Sequence, residues 1–587
     1  MKVLLTTLNS KFVHSNLALR YLKVCLENYI KKCEIALKEY TINDNLQSVL
    51  ASIYMIEADI YAFSCYIWNV EQIMQICGNL KKVKPNAIII LGGPEVSYDS
   101  AKIINDKPFI DFVISGEGEK SLPQLVSKII SKDMEYQEID GLFFRDSEGK
   151  VQNNPTFIIE DLSEILSPFQ NDLAEYKNKA AYYESSRGCP YNCSYCLSST
   201  IKGVRYFPME RVKKDLKNLI DAGAMQVKFV DRTFNSSKER AMEIWKYILE
   251  NNKDTIFHFE IGAHLLDDEM LKFLRHIPNG MFEFEIGIQS TNELTINKIN
   301  RNTDFEKIKK IVTILTGYNN IHIHLDLIAG LPHEDFKSFE KSFNDVYSLK
   351  PHMLQLGFLK MLKGSKIRQE SKIYGYEFTS NPPYEVLSTS FLSYQEVIKI
   401  KKIEEMLEIY SNSGRYENTL DYVISKYNNS FKFFEELSDY WYCRNDDSRK
   451  IPQEENYDIL FEFLMNILQK DIGEIRELLK LDFILNNFGA KSRYWMVRYV
   501  FNDMKAEIRN MLNTSDFIKK YCPQLLELQL QEKIKSVHFE IIKRSNEMYR
   551  LILIERKPNS RGIIKSSFQI VGDEYLKNKQ INEQKTS

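Results

Sequence analysis

The sequence lacks the long apolar runs of a membrane protein. No stretch of its 587 residues approaches the roughly 18 consecutive apolar residues that a membrane-spanning helix needs. The first residues, MKVLLTTLNSKFVH, form only a short apolar run without a small-residue cleavage site, so we expect no secretory signal peptide. Internal repeats and low-complexity segments are also lacking. These absences predict a cytoplasmic protein with no membrane span.

The sequence also lacks an excess of charge of one sign. Its 78 Lys and Arg residues nearly balance its 80 Asp and Glu residues, and the formal net charge is −2. We therefore do not expect nucleic acid as a partner, because phosphate binding needs a basic surface. The 44% of apolar and 27% of charged residues are typical of a globular protein.

Cysteine is sparse, and only three of the nine residues lie close together. The other six are scattered, usually inside apolar runs, which is typical of small buried side chains. Cys189, Cys193 and Cys196 lie within the segment Ser186-Arg-Gly-Cys-Pro-Tyr-Asn-Cys-Ser-Tyr-Cys196. In a reducing compartment, such a cluster indicates a metal or catalytic site and not a disulfide framework.

Strand and helix patterns alternate over the first part of the chain. They predict a doubly wound, Rossmann-like α/β domain over residues 1–135, with a parallel sheet. The predicted strands are Val3–Thr7, Ile35–Glu39, Ile60–Ser64, Ala87–Leu91 and Phe112–Ser115. Such sheets bind ligands at the carboxyl ends of their strands, where the strand order reverses. The candidate binding residues at these ends are Asn9, Ser64, Gly92, Gly93, Gly116 and Glu117.

The rest of the chain divides into three parts. Residues 136–180 hold turn signals and a short hairpin pattern, and we interpret them as a connector. Residues 181–380 carry six further strand–helix units, which predict a partial (β/α)6 barrel of the TIM type with its active site at the carboxyl ends of the strands. Residues 385–587 predict a mostly helical domain with a strand pair near residues 537–554 and a frayed polar tail from Gln580.

The cysteine spacing C-x3-C-x2-C can hold a [4Fe–4S] cluster and leave one iron without a protein ligand. A structural zinc site is the alternative, but zinc takes four ligands and no second pair of ligands lies nearby. The segment follows a strand and precedes a helix that opens near Pro208, and it resembles the signature of the radical S-adenosylmethionine superfamily. In that family the open iron binds S-adenosylmethionine, and one electron cleaves it to methionine and a 5′-deoxyadenosyl radical.

The resemblance covers about residues 180–370 and implies further cofactor contacts. By it, Tyr195 would lie beside the adenine, and Ile328, within the segment Asp326–Pro332, would flank it. Glu285 and Gln289 would hold the ribose and the carboxylate. Many relatives carry Gly-Gly-Glu on the second strand, where this chain has Val230-Asp-Arg-Thr, so Asp231 is the candidate that binds the amino group. Each carboxylate could instead be an ordinary strand-end or ion-paired group.

The amino-terminal domain resembles the cobalamin (B12)-binding domain of the B12-dependent radical branch. The resemblance rests on Gly92-Gly-Pro-Glu95 and Ser115-Gly-Glu-Gly-Glu119, where glycines let the backbone approach a bulky ligand. It implies cobalamin as a further cofactor, although a plain nucleotide-like fold is the alternative. The window around His14 lacks the Asp and Gly of the motif Asp-x-His-x-x-Gly, so ligation of cobalt by His14 stays open. The carboxyl-terminal region resembles the uncharacterised domain of one subgroup of this branch.

The resemblance implies an anaerobic, cobalamin-dependent radical enzyme in which the three cysteines are metal ligands and catalytic residues. It implies methyl transfer to an unactivated carbon or phosphorus of a small-molecule, lipid or peptide substrate, with a flavodoxin or ferredoxin as reductant. Three alternatives stay open. They are a B12-dependent rearrangement or cyclisation, a tRNA methylthiotransferase-like enzyme, and a non-catalytic cobalamin and iron–sulfur sensor or electron carrier.

Overall fold

The computed structural model describes residues 1–585 except 13, 32, 171–172, 302, 446–450, 489, 544–547, 559–563 and 578. It divides into two compact units, one of Met1–Pro351 with Gln355–Val397 and one of His352–Leu354 with Ile398–Ser587. Within the described residues, no helix has both the length and the apolar character needed to cross a membrane.

The first sheet belongs to the first unit and has seven strands. They are β1 (Lys2–Asn9), β2 (Glu34–Thr41), β3 (Ile60–Ser64), β4 (Ile88–Gly92), β5 (Phe112–Ile114), β6 (Leu142–Arg145) and β7 (Val151–Asn153). Their order is β2-β1-β3-β4-β5-β6-β7, and β1 to β5 are parallel. Because the order reverses between β1 and β3, the predicted doubly wound topology is confirmed.

Helices cover both faces of this sheet. They are α1 (Leu17–Tyr29), α2 (Leu46–Met55), α3 (Val70–Val83), α4 (Pro94–Ser97), α5 (Ser100–Asp106) and α6 (Gly118–Ser131). On one face α1 and α6 pack against Val3 and Leu5, and on the other α2 and α3 pack against Leu4 and Leu8. Alternate residues of β1 thus point into opposite cores, which explains its near-continuous apolar sequence.

The predicted connector contains a hairpin that extends the first sheet. β6 pairs antiparallel with β5, and β7 pairs antiparallel with β6. Phe144 is buried, and its ring lies 5.4 Å from that of Tyr136. The sheet therefore continues beyond the predicted boundary at residue 135, because the alternating apolar residues Leu142 and Phe144 complete its core.

A partial barrel follows, as predicted. Its strands are β8 (Ala180–Tyr183), β11 (Gln226–Phe229), β12 (Ile256–Glu260), β13 (Phe282–Gln289), β14 (His322–Ala329) and β15 (Met353–Phe358), in the order β15-β14-β13-β12-β11-β8. A separate hairpin, β9 (Ser186–Cys189) with β10 (Gly203–Tyr206), follows β8. The helices are α7 (Met209–Asp221), α8 (Lys238–Asn251), α9 (Asp268–Leu274), α10 (Glu293–Lys298), α11 (Phe305–Tyr318), α12 (Phe336–Tyr347) and α13 (Lys366–Gln369). The short pair β16 (Glu377–Phe378) and β17 (Val386–Ser388) comes next.

Helices prevail in the carboxyl-terminal region, as predicted. They are α14 (Tyr394–Met406), a π-helical turn (Leu407–Asn412), α15 (Glu417–Tyr427), α16 (Ser430–Arg444), α17 (Gln453–Ile467), α18 (Ile472–Asn486), α19 (Met504–Asn513), α20 (Ser515–Tyr521) and α21 (Leu530–Ser536). The strands are β18 (Val497–Phe501), β19 (Val537–Lys543), β20 (Tyr549–Pro558), β21 (Ile564–Ile570) and β22 (Ile581–Lys585). The predicted strand pair corresponds to β19 and β20, which pair antiparallel.

The polar tail is not frayed where the structure describes it. β22 pairs antiparallel with β18 along five residues, with Val497 opposite Lys585 and Phe501 opposite Ile581. The prediction of a frayed end is therefore wrong for Ile581–Lys585, because backbone pairing needs no apolar side chains on the outer strand. Residues 586–587 lie outside the described residues.

Candidate active site

The three clustered cysteines follow β8. Cys189 lies in the β9–β10 hairpin, and Cys193 and Cys196 lie in the loop that connects its two strands. Cys189 ends β9 and pairs with Gly203 of β10. Gly188 has a φ of +98°, and a Cβ atom there would lie 2.2 Å from the carbonyl oxygen of Gly203. Only glycine therefore allows this close pairing. Cys193 is buried, and Cys196 directly precedes the short 3-10 helix Leu197–Thr200.

A partly buried arginine lies beside these thiols. Arg301 Nη1 lies 3.9 Å from Cys193 Sγ and donates a hydrogen bond of 3.0 Å to the Tyr195 hydroxyl. Burial raises the pKa of the Cys193 thiol, and the positive charge of Arg301 opposes that rise. A cation next to a thiol favours the thiolate, which is the form that binds metal. Arg301 could not be predicted from the sequence, because a single arginine after a short helix carries no motif.

The donor set fits an iron–sulfur cluster. All three cysteines are free of disulfides. Among the described residues, no group of three or more His, Cys, Asp or Glu side chains is arranged to hold a single metal ion. The thiolates of an iron–sulfur cluster bind different irons, so this finding concerns mononuclear sites only. Three thiols with one partly buried cation beside them suit an anionic cluster.

The barrel interior holds three buried polar atoms without a hydrogen-bond partner among the described residues. They are Gln289 Oε1, His324 Nε2 and Asp326 Oδ1. Gln289 has a φ of +73° at a bulge in β13, and its amide folds so closely over Gly287 that a Cβ there would lie 2.2 Å from Nε2. Because unpaired buried polar atoms cost free energy, these atoms fit a polar ligand such as S-adenosylmethionine.

Glu285 is held as an ionised carboxylate inside the barrel. Its Oε2 lies 3.0 Å from His258 Nε2 and 3.8 Å from Lys228 Nζ. The hydrogen bond from His258 lowers the pKa of Glu285. On the neighbouring strand, burial and the charges of Glu285 and Glu260 raise the pKa of Asp326 to about 8. The barrel therefore presents one charged and one neutral carboxyl group on adjacent strands.

Tyr195 and Ile328, the two predicted adenine neighbours, are brought into one apolar cluster. Ile67, from the loop after β3, packs against the same cluster. The Tyr195 ring is thus held by apolar contacts while its hydroxyl accepts from Arg301. A flat apolar surface next to polar atoms suits an adenine ring.

Asp231 has a different set of partners from the predicted one. Its carboxylate accepts hydrogen bonds from the Ser185 backbone N–H (2.9 Å), the Ser185 hydroxyl (2.7 Å) and the Ser186 hydroxyl (2.5 Å). It is only 1% exposed, and burial raises its pKa to about 6. Because both oxygens are engaged by the segment that leads into β9, Asp231 positions the cysteine hairpin. Its predicted role as the partner of the cofactor's amino group stays a prediction.

A cavity of about 1050 Å³ lies between the carboxyl ends of the first sheet and the barrel mouth. All six residues predicted in the first domain line it, namely Asn9, Ser64, Gly92, Gly93, Gly116 and Glu117. The barrel side contributes Tyr182, Glu184, Arg187, Leu197, Thr200, Val230 and Arg232. The cavity is at the upper end of the size range of small-molecule sites, roughly 300–1,000 Å³, so it suits a bulky ligand such as a corrinoid.

Glycine backbone and an aromatic pair shape this cavity. Gly93 has a φ of +105°, and a Cβ there would lie 2.5 Å from the Cys65 carbonyl oxygen. Gly116 has a φ of +92°, and a Cβ would lie 2.6 Å from the Thr156 methyl group. Tyr66 and Trp68 stack in parallel with centroids 4.5 Å apart, and they give the cavity a flat wall. Such a wall fits the face of a planar macrocycle.

His14 and Asn9 lie at the end of β1 next to the barrel. The His14 ring meets that of Tyr182 edge-on at 5.6 Å, and its Nδ1 lies 3.1 Å from the Ser10 hydroxyl. Burial and the charges of Lys11 and Lys228 lower the pKa of His14. The ring is therefore neutral, which is the form that can ligate a metal. The Asn9 amide donates to the His14 carbonyl oxygen at 3.0 Å, so it supports this loop.

Three family models match the chain. The B12 binding domain matches residues 3–126, the radical SAM superfamily matches residues 183–346, and a protein family of unknown function, DUF4080, matches residues 372–560. Fold and site together thus define a cobalamin-binding radical S-adenosylmethionine protein, whose cofactors are a [4Fe–4S] cluster, S-adenosylmethionine and cobalamin. The chain thus combines a region matching the B12 binding domain, one matching the radical SAM superfamily and one matching DUF4080, in that order.

Curated relatives and solved structures agree with these matches. The chain is 25% identical over 369 residues to 2-(S-pantetheinyl)-carbapenam-3-carboxylate methyltransferase of Streptantibioticus cattleyicolor, covering 58% of this chain and 52% of that protein. It is 24% identical over 346 residues to the cobalamin-dependent radical SAM methyltransferase TokK of Streptomyces tokunonensis, covering 56% of this chain and 50% of TokK. The chain thus spans about half the length of these relatives.

The structure of the cobalamin-dependent S-adenosylmethionine radical enzyme OxsB, with aqua-cobalamin and S-adenosylmethionine bound, superposes with a TM-score of 0.58. The match covers 83% of this chain and 84% of that chain at 14% sequence identity. At this identity the likeness shows a common fold.

Proposed function

We propose that this protein is a cobalamin-dependent radical S-adenosylmethionine methyltransferase. Its substrate is a small molecule, lipid or peptide, and the methyl group is transferred to an unactivated carbon or phosphorus of that substrate. One observation carries the proposal: a single large cavity is lined both by the strand-end loops of the first sheet and by the barrel mouth next to the cysteine hairpin. Methyl transfer is supported by the two relatives, both of which are methyltransferases.

The bound cofactors would supply a 5′-deoxyadenosyl radical and a methyl donor, and the chain would bind, orient and shield them. Cys189, Cys193 and Cys196 are proposed to hold the cluster. Glu285, kept ionised by His258, is suited to accept hydrogen bonds from ribose hydroxyls. The unpaired Gln289 oxygen is suited to accept a hydrogen bond from the same ligand.

The remaining predicted residues divide between the two cofactor sites. Tyr195 and Ile328 are proposed to pack against the adenine, because they share one apolar cluster. In the first domain, backbone at Gly92, Gly93 and Gly116 and the side chains of Asn9 and Ser64 are proposed to line the corrin site.

The proposal also assigns parts of the chain and the partners. Residues 1–135 bind cobalamin, 136–180 connect, 181–380 form the barrel with its cluster, and 385–587 form the carboxyl-terminal domain. A flavodoxin or ferredoxin supplies the electron, and the cytoplasm is the location, because a reducing compartment keeps the cysteines as thiols.

Anaerobic reconstitution tests the proposal. The purified chain should contain a four-iron cluster and a corrinoid absorption spectrum, and after reduction with dithionite it should convert S-adenosylmethionine to 5′-deoxyadenosine and methionine. Replacement of one ligand, Cys193→Ala, should abolish iron binding and this cleavage. The matched control is Cys443→Ala, which changes an exposed cysteine of the carboxyl-terminal region and should leave both intact.

Methyl-labelled S-adenosylmethionine separates the alternatives. Label in the protein-bound corrinoid or in a product supports methyl transfer. Deoxyadenosine without transferred label would instead indicate a B12-dependent rearrangement or cyclisation. Label in a methylthio group of tRNA would indicate a tRNA methylthiotransferase-like enzyme. If the protein with cluster and corrinoid bound does not cleave S-adenosylmethionine, the remaining hypothesis is a non-catalytic sensor or electron carrier.

A further inference from the structure

Glu117 directly follows Gly116 in the loop after β5. Its carboxylate accepts hydrogen bonds from the β9–β10 hairpin and from the backbone of Ile159. Oε1 accepts hydrogen bonds from Arg205 Nη2 at 2.8 Å and from Arg187 Nη1 at 3.3 Å. Oε2 accepts from Arg205 Nη1 at 3.0 Å and from the Ile159 backbone N–H at 2.8 Å. With four donors around its two oxygens, Glu117 is committed to protein contacts. Glu117 also lines the cavity, and its predicted contact with cofactor stays a prediction.

Arg187 extends this contact into a buried ionic network. Its Nη2 also binds Glu119 at 2.5 Å and Glu184 at 2.7 Å. The guanidinium carbon lies 5.4 Å from the ring centroid of Tyr21 and 5.7 Å from that of Phe207. The side chains of the two arginines and three glutamates are only 10–14% exposed. Forked arginine–carboxylate pairs at such burial fix geometry more strictly than exposed ion pairs do.

The network joins the two proposed cofactor sites directly. Arg187 and Arg205 are opposite each other in the β9–β10 hairpin, whose last β9 residue is Cys189. Glu117 and Glu119 come from the glycine loop that lines the cavity and the helix that follows it. The strand that carries a cluster ligand is therefore attached to the loop proposed to face the corrin.

The loop after β4 repeats this arrangement on other barrel residues. Glu95, two positions after Gly93, accepts a hydrogen bond of 2.5 Å from the Tyr384 hydroxyl and lies 3.0 Å from Lys363 Nζ. It is 5% exposed. Lys363 also pairs with Asp99 at 3.2 Å. Both glycine loops of the first domain are thus tied to the barrel by a carboxylate close to the glycine.

We infer that Glu117 and Glu95 are positioning residues that set the spacing between the corrinoid and the cluster, an inference that rests on the proposed function. Methyl transfer requires the methyl donor and the substrate radical to meet at near-attack distance, where a misplacement of about 1 Å can cost about 100-fold in rate. Loosening either ionic contact should therefore slow methyl transfer while radical formation continues and both cofactors stay bound.

The test uses the full chain with Glu117→Gln, which keeps the side-chain shape and removes its charge. Hydrogen exchange of the protein as purified should become at least about tenfold faster in both residues 112–119 and residues 186–206, because the network holds the two segments together. In the reconstituted, reduced protein, the magnetic interaction between cob(II)alamin and the reduced cluster should weaken or broaden. Arg205→Lys, which keeps the charge but not the fork, should fall between Glu117→Gln and the unchanged chain.

The matched control is Glu164→Gln. Glu164 pairs with Lys120 of α6 at 2.5 Å, but both side chains are about half exposed (51% and 44%), so its loss should change neither measurement. A Glu117→Gln protein that keeps cluster, corrinoid, exchange rates and magnetic interaction unchanged overturns the inference. If the unchanged chain binds no corrinoid, the proposed function fails and the spacing role fails with it. Simultaneous faster exchange in the two segments would then still show that Glu117 joins them.

Discussion

Replacing Gly188 by alanine should separate β9, which ends in Cys189, from its partner strand β10. Gly188 and Gly203 both have positive φ, +98° and +83°, so alanine at either position carries the strain of a left-handed backbone, roughly 1–2 kcal/mol. The two positions differ in the space available for a Cβ atom. A Cβ at Gly188 would lie 2.2 Å from the Gly203 carbonyl oxygen, whereas a Cβ at Gly203 has nothing within 4 Å. The two glycines of one hairpin thus form a matched pair.

The magnitude follows from the separation that the new methyl group requires. Ordinary contact between Cβ and oxygen would require β9 and β10 to move about 1 Å apart, which takes backbone hydrogen bonds of about 2.9 Å beyond their range. The two strands of the hairpin share only four residue pairs, from Cys189 opposite Gly203 to Ser186 opposite Tyr206. Loss of two such bonds at about 1 kcal/mol each, added to the strain, gives about 3–4 kcal/mol for Gly188→Ala. Gly203→Ala carries the strain alone.

Iron and sulfide content after anaerobic reconstitution measures the outcome, together with thermal unfolding followed by circular dichroism. Gly188→Ala should lose most of its cluster because Cys189 is displaced, while Gly203→Ala should retain it with a slightly lower Tm. Equal iron content in the two variants would refute the reasoning, because it would mean that the close approach at Gly188 does not determine where Cys189 lies.

Three further predictions concern the cavity, the barrel and the cluster. Gly93→Ala should lower corrinoid retention about tenfold, since the new methyl group meets the Cys65 carbonyl oxygen and about 1–3 kcal/mol of strain is added; absorption of the desalted protein measures it. The raised pKa of Asp326, about 8 instead of 3.8, means that the folded state keeps a proton that the unfolded state loses. The free energy of unfolding should therefore fall as pH rises between those values, by at most about 1.4 kcal/mol per pH unit, and Asp326→Asn should flatten this part of a denaturation series. Arg301→Met should speed loss of iron to a chelator, because it removes the cation beside Cys193 and a charged hydrogen bond of about 1–3 kcal/mol.

Two of these changes have a matched control in the chain. Gly149 also has a positive φ (+80°), but a Cβ atom there would have nothing within 4 Å, so Gly149→Ala should leave corrinoid retention unchanged. Arg275→Met replaces an exposed arginine and should not alter iron loss. A pH profile of Asp326→Asn that matches the unchanged chain would contradict the assignment of the proton to Asp326.

Features that depend on local spacing could be predicted from the sequence. The C-x3-C-x2-C segment indicated the cluster site, and the alternation of strand and helix indicated both the doubly wound sheet and the partial barrel. Glycines at the strand ends indicated the cavity loops, because parallel strands bring their carboxyl ends to one edge. Asn9, Ser64 and Gly93 therefore converge in one cavity although up to 84 positions separate them along the chain.

The partner that each polar group takes could not be predicted, because it depends on how the folded chain packs. Arg301 meets Cys193 across 108 positions, Glu117 meets Arg205 across 88, and Asp231 turns toward Ser185 across 46. The pairing of β22 with β18 is equally remote from local pattern. Hydrogen bonds and ion pairs between distant segments depend on how helices and strands pack, and a carboxylate that suits a ligand suits an arginine as well. Spacing along a chain can therefore locate a site, but it cannot say which of its charged groups stay open for a cofactor.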